Sequence, residues 1–166
     1  MIVSPHQPQP VAVHFAEALK NVVALAAGMV DGLQLGDSAK AGIITRGLAE
    51  MTRLGVASGA NPLTFAGLAG VGDLIGTCMS PLSRNRRAGE LLASGVSWAD
   101  VPPRLTGVAE GAFTVRGALE LADQQGVEMP IAEQVDAVIH GARSPQGAVA
   151  ELMARELKDE LAGLPS

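Results

Sequence analysis

Three short stretches hold residue types that could do chemistry together. In A-L-K-N-V, residues 18–22, Lys20 and Asn21 interrupt a run that is otherwise apolar. In F-A-G-L-A-G-V-G-D-L, residues 65–74, Asp73 stands among glycines and aliphatic residues, with Thr77 four residues further on. In S-R-N-R-R, residues 83–87, three of the chain's 12 Lys and Arg fall within four residues. A lysine ammonium can give a proton to an oxygen that is gaining negative charge. An aspartate in apolar surroundings needs a hydrogen-bond donor or a cation. An arginine fork, an asparagine amide and the free N–H groups of a helix start suit a phosphate.

Each stretch also has a plainer reading. Lys20 alone reads as a lysine whose stem lies along apolar surface while its ammonium reaches water. A lysine at the floor of a cleft is the alternative. S-R-N-R-R reads equally as a solvated basic face or as a phosphate site. The glycine-rich stretch 67–78 reads as a close helix–helix contact. It is not a dinucleotide fingerprint, because Gly70, Gly72 and Gly76 give G-x-G-x-x-x-G and no strand pattern precedes them. Glu110, in G-V-A-E-G, reads as an exposed acid in a loop. His6, His14, His140 and Cys78 show no metal-ligand spacing, so no metal site is expected.

The elements that must position these residues are helical. Apolar residues recur at spacings of three and four from Phe15 to Leu33, and nearly all faces of that segment are apolar, as in a central helix. A second helix is expected over about Ser38–Ala57, with Lys40, Arg46, Glu50 and Arg53 on its polar side. Asn61-Pro62 and Ser144-Pro145 are cap-plus-proline starts. A helix should follow Ser83, S-W-A-D at 97–100 resembles a capping box, and further helices are expected over about Gly111–Gln125, Pro130–His140 and Ser144–Leu161. No segment alternates like a strand. Residues 1–13, with three prolines, read as an irregular lead-in, and 14–166 as one all-α domain of seven or eight helices.

Composition agrees. The chain has 166 residues, enough for one core. It is 48% hydrophobic and 2% aromatic with no tyrosine, so the core must be aliphatic, which favours helices over a β-sandwich. A net charge of −5 argues against nucleic acid as a partner. The apolar run Val22–Val30 ends at Asp31 and is too short for membrane insertion. The N-terminus lacks a signal-peptide pattern, and the single cysteine fits a reducing compartment, so a cytoplasmic location is expected.

Taken in order, A-L-K-N-V, D-G-L-x-L-G-D-x-x-K-A (31–41), I-T-R-G-L-A-E-M (44–51), F-A-G-L-A-G-V-G-D-L, T-C-x-S-P-L-S-R-N-R-R (77–87), V-A-E-G (108–111) and G-V-E-M-P-I-A (126–132) resemble the C-terminal domain of bacterial NAD(P)-dependent glycerol-3-phosphate dehydrogenase. The resemblance covers about Ala18 to Glu160. It implies an all-α domain of the 6-phosphogluconate dehydrogenase C-terminal-like fold. It also implies a reaction that interconverts dihydroxyacetone phosphate and sn-glycerol 3-phosphate, with NAD or NADP as cofactor. By the same resemblance Lys20 is the proton donor and Asp73 the acid that holds lysine and substrate. Asn21, Thr77, Ser83, Arg84 and Asn85 line the substrate site. Arg84, Val108 and Glu110 lie near the cofactor.

The family places a Rossmann domain before A-L-K-N-V. Here 19 residues precede Lys20, with no glycine fingerprint, and H-F-A-E replaces the glycine-rich approach. The expectation is a substrate domain that is inactive without a Rossmann domain, which a separate chain could supply. A face left open by that domain should be partly apolar and should favour self-association, for instance as a homodimer. The alternative is a non-catalytic helical module that binds a phosphorylated small molecule or a partner chain.

Overall fold

A computed structural model describes residues 9–155, apart from the side chains of residues 9–13 and 15–17. Helix α1 (Gln9–Gly32) is the axis of the molecule. Every residue from Val22 to Val30 is buried, as expected for a helix apolar on all sides. Around it lie α2 (Asp37–Ala57), α3 (Leu63–Ala66), α4 (Asp73–Met79), α5 (Arg84–Ala93), α6 (Gly111–Gln125), α7 (Pro130–Ile139) and α8 (Pro145–Ala154). A single π-helical turn over Leu68–Gly72 leads into α4, and 3₁₀ turns occupy Trp98–Asp100 and Pro102–Arg104. No β-strand occurs among the described residues. The all-helical expectation holds, with eight α-helices among the described residues.

The closest packing joins α1 and α5. A Cβ at Gly28 would overlap the carbonyl of Arg86, and one at Gly89 would overlap the carbonyl of Leu25. Glycine at both positions lets the two backbones touch. Farther along, a Cβ at Gly32 would sit 2.6 Å from the Ala93 methyl. From Arg86 against Gly28 to Glu90 and Ala93 against Gly32 the contacts advance in the same direction on both helices, so α5 runs parallel to α1. Asn85, in its first turn, meets Asn21 of α1 across Gly111.

The starts of three helices follow the sequence reading. Ser83 Oγ accepts from the Arg86 N–H at 3.3 Å and caps α5. Ser144 Oγ accepts from the Gly147 N–H at 3.1 Å and caps α8. Asn61 Oδ1 accepts from the Leu63 N–H at 2.9 Å where α3 opens. Other boundaries differ. S-W-A-D forms a 3₁₀ turn in which Ser97 Oγ donates to Asp100 Oδ2 at 2.7 Å. Helix α1 starts at Gln9, within the expected lead-in, because Pro10 fits a first helical turn whose N–H groups have no partner anyway. Residues 1–8 lie outside the described residues. Helix α8 stops at Ala154 instead of running to Leu161. Arg155 is extended, and its carbonyl accepts from Arg46 Nη2 at 2.8 Å; residues 156–161 lie outside the described residues.

Glu50 departs furthest from its expected place on the polar side of α2. It is only 3% exposed. Its Oε1 accepts from the Ile131 N–H at 2.7 Å. Pro130 has no N–H, so Ile131 carries the first donor that α7 must satisfy. Burial pushes the Glu50 carboxyl up to about 8, against the opposing pull of the Ile131 N–H and of Arg53. A carboxyl raised in the folded state adds stability that is complete below its ordinary value of 4.5 and is lost as pH rises through about 8. Glu50→Gln keeps the acceptor and cannot ionise. Urea unfolding at pH 5 and pH 9 should show the variant gaining on the wild type as pH rises, by at most about 1.4 kcal/mol per pH unit across that window. A pH-independent difference would contradict the assignment.

Candidate functional site

Lys20 points from α1 to the start of α4, where its Nζ donates to Asp73 Oδ2 at 2.6 Å. The lysine side chain is 17% exposed and the aspartate 49%. Asp73 is therefore more open than its apolar neighbours suggest. It is the first residue of α4, and that helix turns Leu74 and Cys78 inward instead. One turn on, Thr77 Oγ1 donates to the Asp73 carbonyl at 2.7 Å. The Thr77 hydroxyl proton is used, and its lone pairs remain to accept a hydrogen bond. The result is an ammonium held by a carboxylate at the surface, with an acceptor beside it.

A second group adjoins the first through the next residue of α1. Asn85, in the first turn of α5, is buried, and its Oδ1 accepts from the Gly111 N–H at 2.9 Å. A Cβ on Gly111 would come within 2.6 Å of the Asn21 carbonyl oxygen and 3.0 Å of Asn85 Oδ1. Asn21, Asn85 and Gly111 therefore pack with no room to spare. The carbonyl of Asn85 is committed to structure, which leaves its NH₂ as the donor. Ser83 is likewise the cap of α5.

Arg84 is exposed and makes no hydrogen bond or ion pair with another described residue. Its side chain lies over Gly107, where a Cβ would stand 2.6 Å from Nη1. Gly107 has φ 104°, a backbone conformation open to glycine. Val108 follows, about half exposed, and the exposed Glu110 ends the loop, with its carbonyl accepting from the N–H groups of Phe113 and Thr114. The loop 107–110 thus leans on the same helix start that carries Arg84.

The other two arginines of S-R-N-R-R are already engaged. Arg86 Nε pairs with Asp31 Oδ2 at 2.6 Å, and Arg86 Nη2 with Glu90 at 2.9 Å. Arg87 pairs with Glu90 at 3.0 Å. Lys40, only 5% exposed and not on a polar face as expected, meets the same Asp31 oxygen at 2.7 Å. Neither Asp31 nor Lys40 was read from sequence as part of an ion-pair cluster. The one signal was an acid closing a long apolar run, and no spacing reveals which cations it meets. Of the basic cluster, Arg84 alone is left for a ligand among described partners.

The glycine-rich stretch offers no cradle for a pyrophosphate. A Cβ at Gly70 would overlap the backbone of Phe65, and one at Gly72 would lie 2.7 Å from Leu68 Cδ1. Gly70 and Gly72 are thus filled from within the chain, whereas nothing lies within 4 Å of a Cβ at Gly67 or Gly76. Among the described residues no group of three or more His, Cys, Asp or Glu could hold a metal ion. No described helix is long and apolar enough to cross a membrane.

Residues 9–150 match the family described as NAD-dependent glycerol-3-phosphate dehydrogenase C-terminus. Fold and match define an all-helical C-terminal dehydrogenase domain. More particularly, the chain belongs to the NAD-dependent glycerol-3-phosphate dehydrogenase C-terminal family. It is 55% identical over 154 residues to a glycerol-3-phosphate dehydrogenase [NAD(P)+] of Geobacillus thermodenitrificans, across 93% of this chain and 45% of the relative. It is 53% identical to the protein of that name from Myxococcus xanthus, across 93% of this chain and 46% of the relative. The crystal structure of a glycerol-3-phosphate dehydrogenase from Coxiella burnetii aligns with a TM-score of 0.84 at 41% identity, over 87% of this chain and 45% of that one. The chain spans about half the length of the curated relatives it matches.

The Asn85–Gly111 bond can be tested directly. Asn85→Ala leaves the buried Gly111 N–H without an acceptor and should lower stability by about 1–3 kcal/mol in urea unfolding. An unchanged midpoint and slope would show that the bond contributes nothing.

Proposed function

We propose that this chain is the substrate-binding and proton-donating part of an NAD(P)-dependent glycerol-3-phosphate dehydrogenase, which interconverts dihydroxyacetone phosphate and sn-glycerol 3-phosphate. One observation carries the reading: the accessible Lys20 ammonium is held on Asp73, one residue along α1 from the Asn21–Gly111–Asn85 contact beside which Arg84 stands unpaired among described residues. As a ketone carbon is reduced, negative charge gathers on its oxygen. Lys20 gives that oxygen a proton, and Asp73 aims the ammonium and restrains it between turnovers. Thr77 accepts from a substrate hydroxyl. Arg84 takes the phosphate as a fork, with the Asn85 NH₂ and the Ser83 turn beside it. A phosphate gripped away from the reacting carbon orients that carbon.

The nicotinamide, when bound, supplies or accepts the hydride. The described residues lack a pyrophosphate cradle, so a cofactor domain must hold it, either in the same polypeptide or on a separate chain. Arg84, Val108 and Glu110 are this chain's contribution to that side. Leu68, Ile75, Met79, Leu82 and Val108, all exposed on the segments around Asp73 and Arg84, support a surface that such a domain covers. A cytoplasmic site of action accords with the reading.

Oxidation of NADH with dihydroxyacetone phosphate tests it, with and without a cofactor domain supplied from a relative. Turnover should require both parts. In the reconstituted enzyme Lys20→Ala should lower kcat about 10²-fold or more, while Arg84→Ala should mainly raise KM. Turnover by this chain alone, or an unchanged kcat in Lys20→Ala, would overturn the proposal. The chain by itself should also self-associate through its uncovered apolar surface, seen as a sedimentation coefficient that rises with concentration. A monodisperse monomer at high concentration would contradict that.

A further inference from the structure

An ion-pair cluster ties the first turn of α5 to α1 and α2. Asp31 Oδ2 accepts from both Lys40 Nζ at 2.7 Å and Arg86 Nε at 2.6 Å. Lys40 belongs to α2, Asp31 to the end of α1, and Arg86 to the first turn of α5, so one carboxylate oxygen ties three helices. Arg86 Nη1 also reaches toward the Ser80 carbonyl at 3.5 Å, just past the end of α4, the helix that carries Asp73 and Thr77. The backbone of the same residue is fixed twice. Its N–H donates to the Ser83 cap, and its carbonyl lies against Gly28 of α1. Residue 86 is therefore the point where the start of α5 is pinned to α1 and the end of α4. Arg84 and Asn85 precede it in the same turn.

We infer that Asp31, acting through Arg86, is a positioning residue for the phosphate site: the Asp31–Arg86–Lys40 cluster sets where Arg84 and Asn85 stand relative to Lys20. The inference rests on the reading of Arg84 as the phosphate ligand given above. Asp31 itself touches none of the residues assigned to the substrate. Without its charge, Arg86 and a buried Lys40 face each other as like charges, and the turn that carries Arg84 loses its anchor.

The sign of the effect separates positioning from simple electrostatics. Removing an acid near an anion site makes the site more positive, and Coulomb's law alone predicts tighter phosphate binding. Positioning predicts weaker binding. A purely structural role predicts a lower melting temperature with unchanged affinity of the folded protein.

The experiment titrates the chain with sn-glycerol 3-phosphate, and separately with inorganic phosphate, by isothermal calorimetry at a temperature where circular dichroism shows each variant folded. Asp31→Asn should raise Kd for sn-glycerol 3-phosphate about tenfold, the scale expected for a displaced binding group. In an Arg84→Ala background the same change should alter Kd by less than about twofold, because the two act through one contact. Arg86→Lys keeps the charge but not the fork; it should also weaken binding, and it serves if Asp31→Asn does not fold. Glu151→Gln, which removes a pair with Arg143 outside the cluster, should leave Kd unchanged. Unchanged or tighter binding in Asp31→Asn or Arg86→Lys overturns the inference. Absence of Arg84-dependent binding in the wild type overturns the phosphate-site reading itself, and the clamp with it.

Discussion

The contact of α1 with α5 through Gly28 and Gly89 is the constraint on which the rest depends. Two helices whose backbones touch cannot slide or roll without a clash. With α5 held there, Asn85 in its first turn meets Asn21 of α1 across Gly111. The site is thus a consequence of packing in the middle of the molecule. A methyl group at either glycine would push α5 outward and carry Arg84 with it.

Charge is distributed on the same plan. A buried cation must be paired, and the buried Lys40 and the half-buried Arg86 share Asp31. Arg87 and Arg86 share Glu90. What remains on the open side is a held ammonium at Lys20 and an arginine at Arg84 with no described partner. A chain of net charge −5 can therefore present a local anion site without a basic surface. Glu50 follows the opposite rule. It is a buried acid whose burial keeps its proton up to about pH 8, and it faces the start of α7 as a hydrogen-bond acceptor.

Much of this was legible in the residues. The caps at Ser83 and Ser144 declared themselves by chemistry that acts within one turn, and α1 by an apolar pattern with no polar face. That Asp73 needs a donor or a cation was readable from its apolar sequence; that the cation is Lys20 was implied only by the family resemblance, and the pair forms. Contacts between distant segments were not legible. Glu50 looked like one more polar residue of α2, because the N–H it serves lies 81 residues away. Asp31 and Arg86 are 55 residues apart. The basic cluster read as one unit, yet it divides between an arginine with no partner among the described residues and two structural ones. The start of α1 was missed because prolines that read as a lead-in also suit a first helical turn.

The central claim is that Lys20, Asp73 and the start of α5 form one site for one small phosphorylated ligand. The most direct measurement is a nuclear magnetic resonance titration of the chain with sn-glycerol 3-phosphate, following backbone amides throughout. The claim predicts saturable shifts of common midpoint at residues 20–21, 73–77, 83–85 and 107–111, with Gln134, Arg143 and Glu151, whose side chains bond one another, unmoved. Shifts confined to those three residues, or separate midpoints for the Lys20 and Arg84 groups, would contradict it.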